Sequence, residues 1–195
     1  EVTYGHYLGI RKHVQQETIG VINIDAHLDC RATVAGKGNS GTGFYQIAND
    51  CEDGQADFQY MAIGIQQISN TKALFDFAAT KGVKLIRRTD FCAPNIEELK
   101  AKITAFAATV DHVYLTVDMD AFAAAFAPGV SAPAYNGILP DDTFYTVYST
   151  ISSLSNLRTV DIAELNPRYD NDSITARLAA YLIFRLVNQR NPSMK

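Results

Sequence analysis

The sequence has few cysteines, little excess charge and no long apolar run, and each absence excludes a class of protein. Its 195 residues include 17 Lys and Arg against 21 Asp and Glu, which gives a net charge of −4. A nucleic-acid-binding protein should carry a basic stripe, and this sequence has none. The apolar runs are well short of the roughly 20 residues that a transmembrane helix requires. We therefore predict neither a nucleic-acid nor a membrane partner.

Three cysteines, Cys30, Cys51 and Cys92, are too few and too widely spaced for a disulfide framework or a zinc finger. We expect reduced thiols in a cytoplasmic protein without a secretory signal. Hydrophobic residues make up 47% of the chain and charged residues 19%, which is typical of a globular protein. The length predicts a single domain over residues 1–195.

Apolar, β-branched segments alternate with segments of helical periodicity. The predicted strands are residues 18–24, 57–65, 83–88, 112–117 and 158–163. The predicted helices are residues 69–81, 95–109, 141–153 and 173–189. Glu1–Gly9 is predicted to begin a further helix, and the glycine-rich residues 36–43 are predicted to form a loop. Apolar strands separated by helices indicate an α/β fold, with a parallel sheet covered on both faces.

Ionisable residues directly follow three of the predicted strands. They are Asp25, His27 and Asp29 after the first strand, Asp118 and Asp120 after the fourth, and Glu164 after the fifth. Ligands of parallel sheets bind at the carboxyl ends of the strands, and residues two apart in an extended segment face the same way. The two aspartate groups and the imidazole can therefore converge on a cation, which would offset the cost of burying their charge. Their charge suits two divalent ions, and this ligand chemistry favours Mn²⁺, with Fe²⁺, Co²⁺ or Zn²⁺ as substitutes.

Four blocks of sequence resemble motifs of the ureohydrolase family, which contains arginases, agmatinases and formimidoylglutamases. The blocks are DAHLD at 25–29, VDMDAF at 117–122, APGVSAP at 127–133 and DIAELNP at 161–167. They occur in the family's order, and the resemblance extends from Glu1 to about Leu186. It implies an arginase-like fold, a three-layer α/β/α arrangement with a mostly parallel sheet.

The first residues, Glu1–Gly9 (EVTYGHYLG), resemble the sequence that follows a metal-binding histidine in this family. Glu1 would be the last residue of a GGGHE-like motif, and the histidine would lie one residue upstream. The resemblance thus implies that amino-terminal strands of the family domain are missing, and that residues 1–195 are the carboxyl-terminal two thirds of a longer domain. His6 is a different histidine, which we expect to be packed or hydrogen-bonded rather than to bind metal.

Several features resemble the formimidoylglutamase branch of the family. Arg31 follows the first metal block, where arginases and agmatinases usually have another residue type. The other segments similar to this branch are 39–44 (NSGTGF), 64–71 (GIQQISNT), 127–133 and 164–180. Arginases and agmatinases tend to have a histidine in the loop after the first metal block, whereas no histidine occurs here between His27 and His112.

The resemblance also implies a role for each metal ligand. Asp25 and Asp118 would bridge two Mn²⁺ ions per subunit. Asp29 would complete one metal site together with the upstream histidine. His27 and Asp120 would complete the other site.

The implied reaction is hydrolysis of N-formimidoyl-L-glutamate to L-glutamate and formamide, in histidine degradation, by a hydroxide that bridges the two metals. Asp120 would transfer the proton, and Glu164 would hold the cationic end of the substrate. Arg31 would pair with a substrate carboxylate. The remaining predicted substrate contacts are Asn39, Ser40, Gly41 and Thr42.

Two other functions stay open. A guanidino hydrolase, such as an agmatinase, a guanidinobutyrase or an arginase, would keep the fold and the metals but release urea. A degenerate relative without catalytic activity would be compatible with the missing upstream ligand. In either enzyme the partner is a small-molecule substrate, and the resemblance implies a homo-oligomer, a trimer or a hexamer.

Overall fold

A parallel sheet of five strands forms the centre of the computed structural model, which describes residues 2–191. The strands are β1 (Ile19–Ile24), β2 (Gln59–Ile65), β3 (Lys84–Arg87), β4 (His112–Asp118) and β5 (Leu157–Ala163). Their order across the sheet is β3-β2-β1-β4-β5, and every neighbouring pair is parallel. The five strands expected from the sequence are confirmed.

Six helices of the described residues cover the two faces of the sheet. They are α1 (Val2–Val14), α2 (Gly43–Asp53), α3 (Lys72–Thr80), α4 (Ile96–Ala107), α5 (Asp142–Ser152) and α6 (Ile174–Arg190). Helices α1, α2 and α3 share one buried cluster, which includes Tyr7 and Leu74. Helices α4, α5 and α6 share a larger cluster on the other face, which includes Phe106 and Leu182. The fold is therefore the expected three-layer α/β/α arrangement.

Strands β1 and β4 lie inside the sheet, and every residue of both strands is buried. Successive side chains of β1 enter opposite layers, because Val21 joins the cluster of α1, α2 and α3 while Ile22 and Ile24 join that of α4, α5 and α6. Apolar residues are therefore required at almost every position rather than at alternate ones. A charged residue at the end of either strand is therefore poorly hydrated.

The expected helices are confirmed as α1 and α3 to α6, and the bounds of α3 to α6 differ from the expected ones by one to three residues. Helix α2 has no counterpart among the expected elements. Phe44, Ile47 and Cys51 are buried at helical spacing along it. Its start is obscured in the sequence because Gly43, its first residue, also ends the glycine-rich segment.

Three smaller expectations can be checked in this fold. His6 is hydrogen-bonded, with Nδ1 2.8 Å from Asp161 Oδ2 and Nε2 2.7 Å from Thr159 Oγ1. The cysteines are free thiols, and the buried Cys30 donates from Sγ to Leu28 O. Within residues 2–191, no helix has both the length and the apolar character needed to cross a bilayer.

Candidate metal centre

The residues predicted to bind metal lie where β1 and β4 end, side by side in the middle of the sheet. The two strands pair with Ile24 opposite Val117, so that Asp25 and Asp118 follow at the same level. The backbone N–H of Asp25 still donates to Ile63 O at 2.8 Å, which fixes this residue to the end of β2. Both carboxylates are buried. The sheet therefore brings together two acids that are 93 positions apart in the chain.

Three of the five predicted ligands come within reach of a single ion. Asp25, His27 and Asp120 each offer one atom, and these atoms lie within 4.8 Å of one another. His27 Nδ1 lies 3.1 Å from Asp120 Oδ2 and 3.4 Å from Asp25 Oδ1. The backbone N–H of His27 also donates to Asp25 Oδ1 at 2.7 Å, which turns the chain as it leaves β1.

The other two predicted ligands, Asp29 and Asp118, line the same pocket as His27 and Asp120, with a volume of about 170 Å³. Asp118 Oδ1 accepts a hydrogen bond from the backbone N–H of Asp120 at 2.8 Å. Asp29 has a φ of 47°, a left-handed conformation that is uncommon for residues other than glycine. Asp29 and Asp118 each lie close enough to Asp25 and Asp120 to interact with them electrostatically, so all five side chains belong to one cluster.

Burial and the proximity of like charges raise the pKa values of three carboxyl groups, those of Asp29, Asp118 and Asp120. Burial, with Asp25 nearby, raises the pKa of Asp29 to about 8. The pKa of Asp120 rises to about 6 through burial, although its hydrogen bond with His27 acts in the opposite direction. Burial also raises the pKa of Asp118 well above its ordinary value. Hydrogen bonds to Asp120 and Asp25 raise the pKa of His27 to about 10. Without a cation, the cluster therefore retains protons near neutral pH.

The cluster has the properties of a site for divalent cations. Asp120 Oδ1 is buried and has no hydrogen-bond partner among residues 2–191, and leaving such an atom unpaired costs about 1–3 kcal/mol. A bound cation would satisfy this oxygen and replace the protons on the other carboxyls. Carboxylates with one imidazole and no thiolate suit Mn²⁺ and similar ions. Glu1, which would adjoin the implied upstream histidine, lies outside the described residues.

A buried layer of hydrogen bonds supports Asp25 from within the sheet. Asn23 Nδ2 donates to Asp25 Oδ2 at 3.0 Å and to Tyr60 OH at 3.1 Å. Tyr60 OH in turn donates to Leu28 O at 3.3 Å, and its ring stacks on Phe44 at a centroid distance of 4.0 Å. The sequence reasoning missed Asn23 and Tyr60. The available signal was an asparagine inside an otherwise apolar strand.

Glu164 lies beside the predicted metal ligands, just after the end of β5. It lines the pocket with Asp118 and Asp120, and its φ of 64° bends the chain after the strand. Ser131, which lines the same pocket, donates from Oγ to Glu164 Oε2 at 3.0 Å. The sequence reasoning gave Ser131 no role, although it lies within the APGVSAP block.

The predicted substrate contacts fall into two groups. Arg31, Ser40 and Gly41 line the pocket. Asn39 Oδ1 accepts from the Gly41 N–H at 2.9 Å, and Thr42 Oγ1 donates to Asn39 O at 2.8 Å. Thr42 is fully buried. The side chains of Asn39 and Thr42 therefore shape the turn that carries Ser40 and Gly41, instead of lining the pocket themselves.

Known proteins resemble the chain in sequence and in fold. The model of the arginase family matches residues 1–188. A formimidoylglutamase of Nocardia farcinica is 44% identical over 195 residues, which are 98% of this chain and 60% of that protein. The chain spans about 60% of the length of the curated relatives that it matches.

Two solved structures share the fold. The crystal structure of formimidoylglutamase from Bacillus subtilis matches with a TM-score of 0.83 at 24% identity, over 97% of this chain and 58% of that one. The crystal structure of Trypanosoma cruzi formiminoglutamase with Mn²⁺ matches with a TM-score of 0.80 at 20% identity, over 96% and 61%. At these identities, the two structures show the architecture alone.

Proposed function

The chain belongs to the arginase family, and from that membership we propose that it hydrolyses N-formimidoyl-L-glutamate to L-glutamate and formamide. The observation that carries the proposal is an identity of 39–44% with proteins named formimidoylglutamase, over almost the whole chain. The cluster of acids at the ends of β1 and β4 adds a site suited to this chemistry. The bond that breaks is the C–N bond of a linear amidine.

Five residues would hold two Mn²⁺ ions per subunit: Asp25, His27, Asp29, Asp118 and Asp120. When bound, the ions would supply positive charge and lower the pKa of water at the site, so that a nucleophile is available near neutral pH. The raised pKa values of the carboxyls and the unpartnered oxygen of Asp120 support this metal site. The choice of Mn²⁺ is supported by the ion named with the T. cruzi enzyme of similar fold.

Asp120 and Glu164 would act on the substrate from two sides of the pocket. Asp120 lines the pocket and contacts His27 Nδ1, where it can take a proton from the attacking water and return it to the leaving glutamate nitrogen. Glu164 would attract the cationic nitrogen of the formimidoyl group and thereby orient its carbon. The hydrogen bond from Ser131 limits the rotation of the Glu164 carboxylate.

The glutamate part of the substrate carries two carboxylates, and Arg31 would bind one of them. A guanidinium can form two parallel hydrogen bonds with a carboxylate, which a lysine cannot reproduce. A Cβ at Gly41 would lie 3.2 Å from Arg31 Cδ, so that glycine leaves room for the arginine at the pocket wall. The hydroxyl of Ser40 is a second donor in the same wall.

The test is a hydrolysis assay with Mn²⁺ on the complete gene product. It offers N-formimidoyl-L-glutamate, L-arginine, agmatine and guanidinobutyrate side by side. Formamide released from the first substrate alone would support the proposal. Urea from any other substrate would replace it with a guanidino hydrolase of the same fold. Absence of product from protein that binds Mn²⁺ would indicate a relative without catalytic activity.

The same proposal extends to the setting of the protein. Hydrolysis of formimidoylglutamate would serve histidine degradation, in the cytoplasm, with residues 1–195 as part of a single domain. The family resemblance supports a homo-oligomer, a trimer or a hexamer. Light scattering coupled to size-exclusion chromatography tests the oligomer, since a monomeric mass would contradict it.

A further inference from the structure

Asn70 lies in the loop between β2 and α3, close to the segment that carries three predicted metal ligands. The sequence predicts the helix to start at Ser69 or Asn70. The structure instead begins α3 at Lys72, with Thr71 as the residue that precedes the first turn. The side chain of Asn70 is therefore not engaged at the start of the helix.

The amide of Asn70 contacts the metal-ligand segment on both sides of His27. Asn70 Oδ1 accepts from the backbone N–H of Leu28 at 2.9 Å, and Nδ2 donates to Ala26 O at 2.9 Å. Nδ2 also donates to Gln66 O at 2.7 Å, which ties the same amide to the end of β2. Both N–H donors and the oxygen of this side chain are thus in use.

Asp25 and Ala26 keep backbone hydrogen bonds to β2 and to the residue that follows it, from Asp25 N–H to Ile63 O at 2.8 Å and from Gln66 N–H to Ala26 O at 3.1 Å, whereas Leu28 depends on Asn70. The backbone N–H of Leu28 donates only to Asn70 among residues 2–191, and both Leu28 and Ala26 are fully buried. An unpaired backbone group in this position would be unfavourable. The left-handed φ of Asp29 adds a bend that the surrounding contacts must hold.

We propose that Asn70 is a positioning residue that holds the backbone on either side of His27, and thereby sets the direction in which Asp25, His27 and Asp29 face the cation. This inference rests on the proposed function insofar as it assumes that these residues bind metal. Asn70 does not line the pocket, and it acts through Ala26 and Leu28. Partners of metal ligands are known to change metal affinity by about 10–100-fold when they are removed.

Asn156 provides a matched control at the opposite end of the sheet. Its Nδ2 donates to two backbone carbonyls, Ala107 O and Val110 O, each at 2.9 Å. It directly precedes β5 and lies far along the strand from the ligands. Asn70→Ala and Asn156→Ala each remove two bonds from a side-chain amide to backbone carbonyls, but only the first removes contacts to the metal-ligand segment.

The experiment measures hydrogen exchange in the metal-free chain and then the dissociation constant for Mn²⁺. Asn70→Ala should speed exchange at the Leu28 amide and weaken Mn²⁺ binding by about 10–100-fold. Asn156→Ala should leave both quantities unchanged. If Asn70→Ala does not fold, Asn70→Ser gives the same comparison.

Exchange at Leu28 and Mn²⁺ affinity equal to those of the wild type in Asn70→Ala would overturn the inference, as would an equal loss of affinity in Asn156→Ala. The exchange measurement requires neither metal nor substrate. The proposed function is tested on the wild-type protein instead, so the two can fail separately.

Discussion

The carboxylates of Asp161 and Asp118, on the neighbouring strands β5 and β4, have opposite surroundings. Asp161 in β5 pairs with Thr116 in the sheet, and its carboxylate accepts hydrogen bonds from Thr116 Oγ1, from Tyr114 OH and from the ring of His6. Among residues 2–191, Asp118 at the end of β4 accepts one side-chain hydrogen bond, from the backbone N–H of Asp120, and its carboxylate lies near those of Asp25, Asp120 and Glu164. A carboxylate surrounded by donors has a structural role, whereas carboxylates that face each other must bind either protons or a cation.

The largest expected difference in activity and Mn²⁺ binding is between variants in which Asp118 or Asp161 is replaced. Asp118→Asn should lower kcat/KM by more than about 100-fold, because it removes a metal ligand and not merely a ligand's partner. Asp161→Asn should keep Mn²⁺ and activity but lower the free energy of unfolding by about 1–3 kcal/mol, since its donors lose a charged acceptor. Kinetics, metal content and urea unfolding measure the three quantities. Loss of Mn²⁺ from Asp161→Asn would contradict the distinction between a structural role for Asp161 and metal binding by Asp118.

The second prediction concerns pH and the chain without metal. The folded pKa of Asp29, about 8, exceeds its ordinary value of 3.8, so its contribution to stability is present below pH 3.8 and is lost as the pH rises through 8. His27 acts in the same direction, since its stabilisation is present below pH 6.5 and is lost as the pH rises through about 10. We expect Tm to fall by about 5 °C or more between pH 5 and pH 8.

Calorimetry over this pH range checks the expectation. Asp29→Asn should make the fall of Tm with pH smaller, because the titrating carboxyl group is gone. With saturating Mn²⁺, Tm should rise from pH 5 to pH 8 instead, because the metal competes with protons for the same ligands. A metal-free wild type whose Tm rises from pH 5 to pH 8 would show that the acids of the cluster are already compensated.

The third prediction concerns Arg31, which lines the pocket. Arg31→Ala should raise KM about 10–100-fold with little change in kcat, because a hydrogen bond to a charged group contributes about 1.5–3 kcal/mol. The exposed Arg168 lies after the pocket residue Glu164 and does not line the pocket, so Arg168→Ala is the control. Steady-state kinetics separates the two constants. An unchanged KM in Arg31→Ala would exclude a direct contact with the substrate carboxylate.

The smallest expected effect is that of Ser131→Ala. Removal of one neutral donor to Glu164 should lower kcat/KM about 2–10-fold, which corresponds to the typical net contribution of a hydrogen bond. Ser131→Thr keeps the hydroxyl and should recover most of the loss. Equal kinetics for the wild type and Ser131→Ala would mean that Glu164 is held by other contacts.

The strands and the spacing of the predicted metal ligands could be predicted because each depends on local sequence. Strand β1 has no charged residue from Ile19 to Ile24, and the three predicted ligands that follow it, Asp25, His27 and Asp29, are spaced by two. The pairing of β1 with β4, which the chain order of the strands does not reveal, then places Asp25 beside Asp118.

The parts that the sequence did not reveal depend on contacts between distant segments. Asn70 is an ordinary loop residue until the fold places it against Leu28, 42 positions earlier. The side chains of Asn39 and Thr42 are plausible substrate contacts from the sequence alone. In the structure, they form hydrogen bonds within their own turn instead. The start of α2 was also missed. Gly43 ends a glycine-rich segment, which favours a loop, and the sequence does not show that the residues after it are buried.

The strand order has a consequence for how the pocket can change over evolution. The chain leaves β1 toward α2 on one face of the sheet, and leaves β4 toward α5 on the other, although the two strands are neighbours. This is a topological switch point, where diverging connections open a crevice without any gap in the sheet. Asp25 and Asp118 lie at the strand ends, while the connections that border the crevice lie outside the sheet. We therefore expect changes in these connections to alter which ligands fit the crevice, while Asp25 and Asp118 keep their places in the sheet.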